Sequence, residues 1–329
     1  MKPPRRILVA IKDPKSGSSP AVTKAARLAH AFDAELELFH AMTLPMSADT
    51  HLYVTGGLAR FERGVRKQAV EQLEKMAGPL RRKKLAVRTA ADWDYPVHEA
   101  IVRHARKIKA DMIVAECHAG RRLVPWLLHL TDWELLRTSP IPVLLVKDDS
   151  AWRRPVVLAA LDPAHAVAKP AGLDAGILAA AGQLAGALRG SLHAMHVFAP
   201  MPGGVHPEVG VDSRTAARIS GAAESEARKV FERALRGKKI PASRRHLVMG
   251  LPSEAIPRIA SELGSAIVVM GAVSRSGLKR VVIGNTAERV LRTLPCDVLV
   301  VKPAQFLTRV SRTPRGVRYL MSTKLPLLY

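Results

Sequence analysis

Apolar and polar residues follow one another along this chain in two rhythms. Short continuous aliphatic runs, such as Ile267-Val268-Val269-Met270, stand between turn-forming residues. Runs of that length with no polar member suit strands covered on both faces, as in a parallel sheet lined by helices. Longer stretches between them carry apolar residues at helical spacing. Ile219, Ala223, Ala227, Val230, Phe231 and Ala234 form one such stripe, with Arg and Glu on the opposite face. Phe61, Val65, Ala69, Leu73, Met76 and Leu80 form another. In the later part of the chain the pattern predicts strands at 155–161, 191–198, 244–249, 266–271 and 297–301. Helices are predicted between them at 171–188, 214–236, 253–263 and 285–293.

The pattern occurs twice, and this sets the architecture. Each half opens on Arg-Arg and an apolar strand leading to Asp-Pro, at Asp13-Pro14 and Asp162-Pro163. Each closes on an apolar strand ending in Lys, at Lys147 and Lys302. Residues 96–147 align without a gap to the second half at an offset of 155, with Glu99 on Glu254 and Pro140 on Pro295. The expected fold is α/β: two tandem, doubly wound parallel-sheet domains, each with five strands and four helices. Boundaries fall at 1–147 and 155–306. A polar linker, 148–154, joins them, and a basic, disordered tail, 307–329, follows.

Composition narrows the function classes. The 329 residues hold 51 Lys+Arg against 28 Asp+Glu, a formal charge of +23. Residues 1–150 carry 25 basic and 17 acidic side chains, and the remainder 26 and 11. Such a surface attracts anionic polymers without a dedicated site, and solvated basic helix faces account for it better than a dedicated nucleic-acid surface does. Two cysteines, Cys117 and Cys296, exclude a disulfide framework and a multi-thiolate metal site. No apolar run approaches a membrane span, so a soluble, cytoplasmic protein is expected.

The richest chemistry lies between Val269 and Glu288. A buried strand ends at Gly271, a loop of small residues follows, and a helix starts near Asn285. Bare backbone amides and the positive end of a helix suit a phosphate, with Asn285 or Thr286 as cap or donor and Arg275, Lys279 and Arg280 nearby. The same glycines, Gly271 and Gly284, equally serve a tight turn and a helix start.

These residues resemble those of nucleotide-binding universal stress proteins. That family carries Gly, two residues, Gly, nine residues, then Gly followed by Ser or Thr. Here the spacing is intact as Gly271, Ser274, Gly284 and Asn285, with Ser274 replacing a glycine and Asn285 replacing Ser/Thr. The runs Gly284-Asn-Thr-Ala-Glu288, Gly250 to Pro257 and Cys296 to Pro303 resemble the tandem-domain branch, as does Thr131 to Arg137, and the likeness spans residues 5–306. It implies a non-enzymatic bacterial stress-response protein with ATP or a related adenine nucleotide in the second domain. On that likeness Asp162 faces the adenine and ribose, the Val197 backbone reads the adenine edge, and Gly271, Ser274, Gly284, Asn285 and Thr286 hold phosphates. Asp162 is equally a turn residue before Pro163. The likeness also implies an internal pseudo-dimer through strands 143–147 and 298–302, with further homodimerisation open.

The first half is a control. Glu116, Ala119, His129 and Leu130 stand where the second half has Gly271, Ser274, Gly284 and Asn285, and Lys12 is inserted before Asp13. A carboxylate repels phosphate, so this copy is expected to be structural or to take a different, more apolar ligand. Cys117-His118, with His98, His104 and His129, does not amount to a metal or nucleophile site, and no metal is expected. His193 and His196, three apart on a strand, point to opposite faces. Trp126 and Trp133 bracket a helix start and read as packing residues.

Two further function classes stay open. A basic nucleic-acid-binding protein would use the charge and the tail, though aromatic stacking residues are missing beside the basic ones. A weak ATP hydrolase would need activity that depends on Asp162.

Overall fold

Parallel strands buried on both faces need aliphatic sequence throughout, and the strands observed have it. In β1 (Arg6–Ala10), Ile7, Leu8 and Val9 are all fully buried. The computed structural model describes residues 2–17, 19–42, 58–117, 125–164, 172–199, 213–271, 285–303 and 305–315. The chain divides into two units, residues 150–306 and residues 2–149 together with the segment from Leu307.

In the first half, β1 is followed by α1 (Pro20–Phe32), β2 (Glu35–Met42), α2 (Leu58–Arg82), β3 (Val87–Trp93), α3 (Val97–Lys107), β4 (Met112–Glu116), α4 (Pro125–Thr138) and β5 (Val143–Val146). All the pairings are parallel, in the order β3-β2-β1-β4-β5. The second half repeats this with β6 (Val156–Leu161), α5 (Leu173–Ala187), β7 (Ser191–Phe198), α6 (Ser213–Leu235), β8 (Arg245–Met249), α7 (Pro252–Glu262), β9 (Ser265–Gly271), α8 (Asn285–Thr293) and β10 (Asp297–Val301). Its order is β8-β7-β6-β9-β10, again parallel. Chain order reverses beside the first strand of each half, and in such sheets this switch point opens a crevice at the strands' carboxyl ends.

Turns repeat as well as elements. Left-handed residues close equivalent helices at Asp33 and Arg189, both at φ 54, and at Lys109 (φ 55) and Gly264 (φ 57). The linker is tied at both ends. Lys24 holds the Asp148 carboxylate at 2.7 Å, and Trp152 is buried with its indole N–H donating to Asp297 at 2.8 Å.

The tail departs from expectation. Residues 307–315 lie against the first half: Thr308 donates to the Thr138 carbonyl at 2.6 Å. Arg106 and Arg103 donate to the carbonyls of Val310 (2.8 Å) and Ser311 (2.9 Å). The Arg315 amide donates to Asp94 at 2.9 Å, and its side chain pairs with Glu99 at 3.1 Å. Basic composition suggested a solvated arm. The first half instead offers acids, Asp94 and Glu99, and arginines with donors to satisfy. The expected arm beyond residue 315 lies outside the described residues.

A second buried network ties β2 to α3. Glu37 accepts from the His104 ring at 2.5 Å, Asp92 lies 3.6 Å from the other ring nitrogen, and Phe39 stacks on the imidazole at 4.0 Å. Burial opposes the charge on His104, but the contacts with Asp92 and Glu37 outweigh it and raise its pKa above 6.5. The contact with His104 lowers the pKa of Asp92 against the opposing effect of burial. In the second half, His193 occupies the place of Glu37, and its ring meets His246 at 3.0 Å.

Two outcomes follow. Because His104 has its pKa raised on folding, the stabilisation it brings is complete below pH 6.5 and is lost as pH rises through the raised value. His104→Gln should flatten that part of the profile and cost about 3 kcal/mol at acidic pH, read by urea unfolding. Truncation after Phe306 should destabilise the first half by about 2–4 kcal/mol, at roughly 1 kcal/mol per lost hydrogen bond. Hydrogen exchange of the β1–β3 amides would show it, and unchanged protection would refute the clasp.

Candidate functional site

At the carboxyl edge of the second half, β7, β6 and β9 are neighbours, and they carry Val197, Asp162 and Gly271 at or just past their ends. Asp162 follows β6, and its amide donates to the Asp174 carboxylate in the first turn of α5 at 3.2 Å. The β6–β7 register ends with Leu161 opposite His196. The Phe198 carbonyl is taken by Gly250 on the β8 side at 2.9 Å. Peptide groups alternate along a strand, so those of Val197 point toward β6. The next ladder donor there would be residue 163, a proline with no N–H. The ladder stops at that point: by the same register the Val197 N–H is directed to the Leu161 carbonyl, and the Val197 carbonyl has no β6 donor opposite it.

Gly271 has a packing reason of its own. A Cβ there would meet Leu173 Cδ2 at 2.8 Å, so the Leu173 side chain on α5 would have to shift for any larger residue. Of the other expected phosphate contacts, Ser274 and Gly284 lie outside the described residues. Asn285 and Thr286 open α8, and their side chains are likewise outside the description. Asp162, Val197 and Gly271 are thus the expected site residues that stand at neighbouring strand ends.

The corresponding corner of the first half is closed by a carboxylate. Glu116 ends β4 and accepts from the hydroxyl of Ser19, the residue preceding α1, at 2.8 Å. An anion at this helix start would meet the negative charge of Glu116. Farther along the same edge is a cavity of about 310 Å³. Phe39, Met42, Trp93, Ile101 and Leu135 wall it, and Lys12 and Asp132 supply its charge, paired at 3.2 Å. Lys12 is the residue inserted in this half, and α4 brings Asp132 to it.

One contact recurs in both halves and escaped the sequence reading. His40 Nδ1 meets the Ile11 carbonyl at 2.8 Å, and His196 Nδ1 meets the Leu161 carbonyl at 3.3 Å. Aligning β2 with β7 places these histidines at one position, and that was the signal available. They brace the end of each half's first strand. His193 and His196 engage different partners, His246 and the Leu161 carbonyl.

Other groups carry less chemistry. Burial, reinforced by the Asp132 carboxylate, pushes the Cys117 thiol up in pKa and away from the reactive thiolate. Burial brings Lys302, with its ammonium over the Phe306 ring, down to about 8. Among the described residues no three His, Cys, Asp or Glu side chains converge as metal ligands. Nor, among them, is any helix long and apolar enough to cross a membrane. An open groove of about 450 Å³ lies where α6 ends and β8 begins, at the amino edge of the sheet. Its Lys229, Arg233, Arg236, Lys238 and Arg245 are cationic, and no aromatic residue lines it.

Comparison with known proteins agrees with this layout. Universal stress protein E of Salmonella typhi is 28% identical over 324 residues, covering 92% of this chain and 96% of that protein. Its Escherichia coli K12 counterpart is 26% identical with the same coverage. Among solved structures, a Pseudomonas aeruginosa UCBPP-PA14 protein assigned to the universal stress proteins is 26% identical, with a TM-score of 0.68 over 92% of this chain and 94% of that one. A universal stress protein of Archaeoglobus fulgidus, 16% identical with a TM-score of 0.58 over 91% and 98%, shares the fold. The model of the universal stress protein family matches residues 4–147 and again 173–302, so this chain belongs to that family, as a tandem-domain member.

Proposed function

We propose that this chain is a stress-response protein that acts by binding, and that its second half holds ATP or a related adenine nucleotide. The observation that carries this reading is the interrupted ladder at Pro163. It leaves the Val197 carbonyl without a β6 donor, which supports an adenine rim at that strand end and a ribose beside Asp162. The strand end at Gly271 and the helix start at Asn285 are the two sides of a phosphate corner. Glu116 occupies the equivalent corner of the first half, so one nucleotide per chain is the expected stoichiometry.

Equilibrium dialysis of the full chain with labelled ATP tests the proposal. Saturable binding of one equivalent is expected, with Gly284→Arg lowering affinity at least tenfold while the unfolding midpoint holds. Binding that survives this substitution would place the nucleotide elsewhere. Phosphate release that disappeared in Asp162→Asn would make the protein a hydrolase rather than a binder.

A further inference from the structure

The first-half cavity has no part in the nucleotide reading, and its chemistry points to a different occupant. Its volume, about 310 Å³, is roughly twice that of the dry 150 Å³ cavity known to admit benzene. That corresponds to a molecule of about ten to twelve heavy atoms. Binding sites for small molecules combine apolar walls with a few convergent polar groups, and this cavity has both.

The walls are aromatic beyond what the composition predicts. The whole chain has four Trp, four Tyr and six Phe, yet Phe39 and Trp93 both face this space. Each is held from behind. Phe39 stacks on His104, whose ring is gripped by Glu37, and the Trp93 indole N–H donates to the Glu62 carbonyl at 3.2 Å. Side chains fixed before the ligand arrives lose little freedom on binding. Rigid aromatic walls select a flat ring system over a flexible chain.

Charge excludes anions and cations alike. Lys12 and Asp132 already neutralise each other at 3.2 Å, with side chains 28% and 10% exposed. A charged ligand would have to compete with this pairing at the polar end of the cavity. A neutral hydroxyl or carbonyl can instead share the pair, accepting from the ammonium or donating to the carboxylate. Lys12 is also the residue that distinguishes this half's first strand from the second half's.

We infer that this cavity is a binding site for an uncharged, planar, bicyclic aromatic molecule bearing one hydrogen-bonding group at the Lys12–Asp132 end. The probe is 2-naphthol, titrated into the full chain by calorimetry beside 2-naphthoate, octanoate and ATP. One saturable equivalent of 2-naphthol is expected, at least tenfold tighter than 2-naphthoate or octanoate and not displaced by ATP. Val97→Trp, at the first turn of α3 on the cavity wall, should weaken 2-naphthol at least tenfold while the far-UV spectrum and unfolding midpoint stay near wild type. Asp132→Asn, which removes the carboxylate 3.2 Å from Lys12, should reverse the preference toward 2-naphthoate. If Val97→Trp disturbs folding, Ala115→Leu replaces it as the cavity-filling variant. Absence of saturable 2-naphthol binding to the wild type overturns the site. So do competition by ATP, octanoate binding as tight as 2-naphthol, and affinity unchanged in a folded cavity-filling variant.

Discussion

Everything in each half depends on burying a short aliphatic parallel sheet on both faces. β1, β4 and β5, like β6, β9 and β10, present almost nothing to solvent. Polar chemistry has little room within such a sheet, because an unpaired polar group there loses its hydration without compensation. It is displaced to the strand ends, and the reversal of chain order beside β1 and β6 opens the carboxyl edge in particular. The exceptions are polar residues satisfied in place, such as Glu37 against His104 and Asp297 against the Trp152 indole.

On that common base the two halves have diverged at the same address. Where β9 ends in a glycine that admits Leu173, β4 ends in a glutamate turned to Ser19. Where β7 carries His193, β2 carries Glu37, and each recruited a partner suited to it. An inserted lysine then met an aspartate 120 positions away and gave the first half a neutral, aromatic-walled cavity. Duplication supplied two equal sheets, and a handful of edge residues made them chemically unlike.

The sheet and helices were legible because periodicity is a local property. Strand 191–198 and helix 285–293 were placed to the residue, and the 155-residue offset organised the rest. What could not be read depends on register. Glu37 looks like an ordinary strand residue until α3 brings His104 over the same face. Lys12 was visible as an insertion, whereas its partner was not. Asp162 and Val197 lie just past and near the ends of adjacent strands, β6 and β7. The role of Gly271 in seating α5 needed the geometry of Leu173. Residues 307–315 dock although their composition suggests a solvated arm, because composition reports a segment's own preference and not the Arg103 and Arg106 donors that meet it.

The clasp formed by residues 307–315 also bears on synthesis. Polypeptide leaves the ribosome from its amino end, so domains ordinarily finish in the order in which they are made. Here the first half emerges early but lacks its closing segment until the second half has been translated. During that interval Arg103, Arg106, Asp94 and Glu99 are without their tail partners, and Val310 does not yet cover the surface beneath it. The domain encoded first is therefore the last to be completed.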